Sequence, residues 1–76
     1  MKELIEYIAT SLVEHPDDVE VTEEWDGHRH VVHLDVNEED MGKVIGRGGR
    51  VAESMRSLLK VASANQDTRA VLDIGD

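Results

Sequence analysis

The chain predicts an α+β domain with elements in the order α-β-β-α-α-β. Three observations carry that prediction. Apolar residues recur at helical spacing near the N-terminus and again after residue 50, two strand-like runs bracket Asp26-Gly27, and Ala70, Leu72 and Ile74 alternate near the C-terminus.

Leu4, Ile5, Ile8 and Leu12 mark one face of an amphipathic helix, with Tyr7 at its border and Pro16 as its terminator. Val19 to Trp25 and His28 to Val36 then read as strands. Asp26-Gly27 suits a two-residue type I′ turn, because both residues tolerate positive φ. That turn predicts Trp25 opposite His28, Glu23 opposite His30, Val21 opposite Val32 and Val19 opposite Leu34, with the valines and Leu34 on one face. Glu24 opposite Arg29 and Glu20 opposite His33 would form the solvated face. Asn37 before Glu38, Glu39 and Asp40 reads as an N-cap with acids in the first turn. Met41, Val44 and Ile45 give the short helix that follows an apolar edge, and Gly46 is placed to end it as a left-handed C-cap. A longer helix carries Val51, Met55, Leu58, Leu59 and Ala62 on its stripe, with Arg50, Glu53, Arg56 and Lys60 turned away. Arg69 to Ile74 is the last strand.

With 76 residues the chain is expected to be one domain, residues 1–76, with a thin core. It has no cysteine, which excludes a disulfide framework and thiolate metal sites. Met1 to Glu6 lacks the pattern of a signal peptide, and no run approaches the length of a membrane span. A soluble, cytoplasmic protein is expected. Its net charge is −9, unevenly spread. Residues 1–40 hold Lys2 and Arg29 against thirteen acids, giving −11, whereas residues 41–63 hold five cations against Glu53 alone, giving +4. Such acidity argues against broad polyanion binding and leaves one basic zone.

That zone surrounds Gly46-Arg47-Gly48-Gly49, flanked by Lys43 and Arg50. Glycines there let backbone approach a ligand that side chains would block. The following helix would also present N–H groups with no intrahelical partner, a surface suited to phosphate. A Walker loop is excluded because Gly42-Lys43 is followed by Val44, and a dinucleotide fingerprint fails at Val51. His28 and His30 share a strand face but lack a third ligand, so no metal or cofactor is expected. The acid pairs read as solvated surface, and Ser54 and Ser57 have no nearby His, so no catalytic role is expected.

The run Val44-Ile45-Gly46-Arg47-Gly48-Gly49-Arg50-Val51 resembles the signature of KH domains, in which an apolar pair, Gly-x-x-Gly, a basic residue and an apolar residue join two helices. With the order of elements it is similar to the type II arrangement. The lead-in Asp40-Met41-Gly42-Lys43 further resembles the KhpA family of small stand-alone bacterial KH proteins. The resemblance covers the whole chain. It implies three strands in one sheet covered on one face by three helices, and binding of single-stranded RNA, or sometimes DNA, with the loop clamping about four nucleotides. It places RNA contacts on Lys43, Val44, Ile45, Gly46, Arg47, Gly48, Gly49, Arg50 and Val51. Val44, Ile45 and Val51 would line an apolar groove whose other wall is the strand around His33 to Val36. Gly48 departs from the family, where a polar or basic residue is common. Tyr7 and Trp25 are the only aromatics and lie outside the motif, which predicts modest affinity and limited sequence selectivity.

The resemblance also implies an RNA chaperone or post-transcriptional regulator that self-associates or pairs with a larger Jag-type KH protein. The polar-to-small run at Val61, Ser63 and Ala64 on the long helix is a candidate contact surface. A second reading is a KH fold used for protein contacts, in which the acidic surface serves a basic partner in ribosome assembly.

Overall fold

The computed structural model describes residues 1–75. Helix α1 spans Lys2–Leu12, strand β1 Glu20–Trp25, strand β2 His30–Asp35, helix α2 Met41–Ile45, helix α3 Arg50–Ala64 and strand β3 Ala70–Ile74. Short 3-10 turns at Pro16–Asp18, Glu38–Asp40 and Arg47–Gly49 join them. The sheet order is β1-β2-β3, with β1 antiparallel and β3 parallel to the central β2. Helix α1 lies against β1 and β2, and α3 against β3. This is the type II KH topology.

Periodicity explains which face each element buries. Ile5 and Ala9 of α1 meet Val21, Val32, Leu34 and Leu72 of the sheet, with Val36, Val44, Met55 and Leu59 completing one core. Each large aliphatic side chain removed from water there contributes about 1.5–3 kcal/mol before entropy is charged against it. The opposite sheet face carries His33 paired with Asp73 at 3.2 Å.

Several expectations are corrected. Helix α1 ends at Leu12, not at Pro16, because Val13 turns extended with ψ of 161°. Pro16 instead opens the next 3-10 turn. The hairpin register is shifted by two residues: Trp25 lies opposite His30, Glu24 opposite Val31, Glu23 opposite Val32, Thr22 opposite His33, Val21 opposite Leu34 and Glu20 opposite Asp35. The cause lies in the Asp26 carboxylate. Its Oδ1 accepts from the N–H groups of His28 and Arg29, both at 2.9 Å, while Asp26 N donates to Arg29 O. Asp26 thereby pairs with Arg29, and the turn centres on Gly27-His28 with Gly27 at φ +97°. Glu23 still meets His30 at 3.1 Å, and it also accepts from Lys2 N, tying α1 to the sheet.

On α3 the buried line is Ala52, Met55, Leu59 and Ser63, whereas Leu58 is about half exposed. The expected stripe was rotated toward Leu58. Ser63 Oγ donates to Lys60 O, and Ser63 O accepts from Gln66 N and Thr68 N, so this residue fastens the end of α3. Being buried, it cannot serve in the contact run expected with Val61 and Ala64.

Candidate nucleic-acid interface

Helix α2 follows a turn capped by Asn37, whose side chain accepts from Glu39 N at 2.8 Å. One acid of that turn does more than decorate it. Asp40 is buried, and its two carboxylate oxygens accept from Glu14 N at 3.1 Å and His15 N at 3.0 Å. Burial opposes its charge, but these two N–H groups, helped by His15 and Lys43, outweigh it and hold the carboxyl below its ordinary value. The link between α1 and β1 is thereby pinned beneath α2. The sequence marks Asp40 only as a first-turn acid, and its partners at Glu14 and His15 lie too far along the chain for any local pattern to reveal.

The loop itself is built from glycines for separate reasons. Gly46 ends α2 at φ +78°, ψ 171°, a conformation other than the expected left-handed cap and open essentially to glycine alone. A Cβ there would stand 2.5 Å from Val51 Cγ2 and 2.8 Å from Val51 N. Gly48, at φ +64° and ψ 18°, and Gly49, at φ +78° and ψ 13°, are left-handed, a conformation that favours glycine at both positions. Open space lies over both. Gly49 N donates to Gly46 O and Arg50 N to Arg47 O, closing the turn. No side chain caps α3, so remaining first-turn N–H groups are left for an outside partner.

Arg47 and Arg50 are exposed and make no ion pair among the described residues. Lys43 differs. Its Nζ is held by the Glu14 carboxylate and lies 3.9 Å from Asp40 Oδ1. The Glu14 hydrogen bond raises the Lys43 pKa, and the same bond lowers that of Glu14.

The apolar residues expected to line a groove separate. Val44 is fully buried in the core, whereas Ile45 and Val51 keep accessible surface. In the strand around His33 to Val36, the expected other wall, Leu34 and Val36 are buried in the core, while His33 and Asp35 keep accessible surface. A groove of about 360 Å³ does start at Arg50 and Val51 and runs between Met55 and Leu58 of α3 and Ile8 and Leu12 of α1. Among the described residues no group of three or more His, Asp or Glu side chains could hold a metal ion. No helix described is long and apolar enough to cross a membrane.

A glycine loop with positive φ values, joining two helices at the end of a β1-β2-β3 sheet, defines the KH class in its type II form. Within that class the chain belongs to the KhpA/KhpB KH domain family, whose model matches residues 2–74. It is similar to the RNA-binding protein KhpA of Halalkalibacterium halodurans, 51% identical over 76 residues and covering 100% of both chains. The RNA-binding protein KhpA of Clostridium perfringens is 45% identical over 74 residues, 97% of this chain and 99% of the relative. That of Treponema pallidum is 43% identical over 75 residues, 99% of this chain and 94% of the relative.

Proposed function

We propose that this chain is a single-domain, non-catalytic protein that binds single-stranded RNA, its loop clamping the backbone in the manner of an RNA chaperone or post-transcriptional regulator. The observation that supports this most is the open backbone surface over Gly48 and Gly49 between the exposed guanidinium groups of Arg47 and Arg50, which make no ion pair among the described residues. Phosphate needs close backbone approach and fixed positive charge, and both meet there. Single-stranded DNA offers the same phosphates and is a weaker candidate ligand. The names of the relatives point the same way. Bases would turn toward Ile45 and Val51, and without an aromatic platform the contact would be modest and tolerant of sequence.

A small clamp gains from pairing, since a linked second site raises effective concentration. Exposed Leu12, Leu58 and Val61 support a homodimer, or a heterodimer with a larger Jag-type KH protein, through the α1 and α3 surface. A cytoplasmic setting follows from an RNA ligand.

Replacing Arg47 and Gly48 together by Asp tests the clamp. Asp tolerates the left-handed conformation at Gly48, so the circular dichroism spectrum should stay native. Affinity for a short single-stranded RNA, read by fluorescence anisotropy, should fall about 10- to 150-fold, one charge-assisted contact being worth about 1.5–3 kcal/mol. Unchanged affinity in a folded variant would overturn the reading.

A further inference from the structure

We propose that the groove between α3 and the outer edge of β3 is a docking site for an acidic, extended peptide segment of a partner protein. The groove, of about 620 Å³, gathers Arg29, Arg56, Lys60 and Arg69 over a floor that includes Ala64 and Val71. Half of the chain's eight Lys and Arg residues thus converge from the hairpin turn, α3 and the start of β3, in a protein of net charge −9. Among the described residues no carboxylate side chain lines it. Arg29 and Arg56 lean on Asp26 and Glu53 at 3.2 and 3.3 Å, whereas Lys60 and Arg69 make no ion pair among the described residues. Exposed pairs of that kind are worth little and exchange readily for a partner's carboxylates.

The shape of the site selects among polyanions. Strand β3 pairs with β2 alone, so the outward N–H and C=O groups of its other edge have no sheet partner. An open edge takes an added strand, whose main chain supplies affinity while alternate side chains read the neighbouring pockets. Arg56 and Lys60 stand four residues apart on α3, about 6 Å along its axis. Side chains on one face of an extended strand recur every two residues, about 6.6 Å, so carboxylates at alternate positions would meet both cations. A nucleic acid finds no aromatic side chain in this groove on which to stack a base. Arg56 and Lys60 also sit about 9 and 15 Å along the helix from Arg50, which separates the site from the glycine loop.

The test uses the full chain and a fluorescein-labelled ten-residue peptide with Glu at alternate positions and Thr between, beside the same peptide with Gln for Glu and a short single-stranded RNA. Saturable binding of the Glu peptide at low salt, weaker binding of the Gln peptide and slowed hydrogen exchange of β3 edge amides are expected. Lys60→Glu with Arg69→Glu should weaken the Glu peptide at least about tenfold while leaving RNA affinity within about twofold. Arg47→Asp with Gly48→Asp should do the reverse, which separates this site from the proposed clamp. Lys60→Gln with Arg69→Gln serves if the charge-reversed chain does not fold. No saturable binding of the Glu peptide, or binding indifferent to Lys60 and Arg69, overturns the proposal. RNA affinity that falls with these variants while the peptide fails to bind assigns the groove to nucleic acid instead.

Discussion

Gly46→Ala isolates the backbone geometry on which the loop depends. The residue sits at φ +78°, ψ 171°, where an L-residue costs about 1–3 kcal/mol. Its new methyl would lie 2.5 Å from Val51 Cγ2 and 2.8 Å from both Val51 Cβ and Val51 N, an overpacking that adds about 1–3 kcal/mol. The total, about 2–6 kcal/mol, is a large part of the roughly 4–11 kcal/mol expected for a domain of this length. Gly48→Ala makes the contrast, because nothing lies within 4 Å of its Cβ and the left-handed conformation costs only about 1–2 kcal/mol. Urea denaturation followed by circular dichroism measures both, with an unchanged slope confirming a common mechanism. Adding Val51→Ala to Gly46→Ala removes the 2.5 Å contact but leaves Val51 Cβ, Val51 N and the backbone strain, so recovery should be partial. If Gly46→Ala costs no more than Gly48→Ala, or if Val51→Ala restores full stability, the close approach of the two helices around Gly46 is wrong.

Asp40→Asn should destabilise the fold at neutral pH and make little difference in strong acid. The Asp40 pKa lies below its ordinary 3.8, so its contribution is present above that pH and is lost as pH falls through the folded value; urea midpoints at pH 7 and in strong acid test this. Salt titration of RNA binding should give a shallow log–log slope of about −1.4 if Arg47 and Arg50 each neutralise one phosphate. Glu14→Gln releases Lys43 from its partner and should steepen that slope by about 0.7 while tightening binding at low salt; an unchanged slope would show that Lys43 never reaches the strand.

What the sequence made legible follows how far each constraint reaches. Alternation along a strand has a period of two, so the two-residue hairpin slip left every side chain on its expected face while changing its partner. The face was written locally. The partner was decided by the Asp26 carboxylate, whose bonds to two successive N–H groups compete with the turn that Asp-Gly ordinarily favours. The same division governs α3: its stripe identified a helix, but burial of Ser63 and exposure of Leu58 depend on where β3 and α1 press against it. Glycine at residues 46, 48 and 49 was informative because positive φ is a single-residue property that needs no distant partner. Charge was legible only as a sum. Lys43 adds to the basic zone along the sequence, but in the fold Glu14, 29 residues earlier, holds it, and Arg29 and Arg69 join Arg56 and Lys60 only in the folded chain. The basic zone read along the sequence therefore divides in space, with Arg47 and Arg50 at the loop and Arg56 and Lys60 beside the β3 edge, where Arg29 and Arg69 join them. On the two proposals made above, the chain would hold RNA and an acidic peptide at separate cationic surfaces that need not compete.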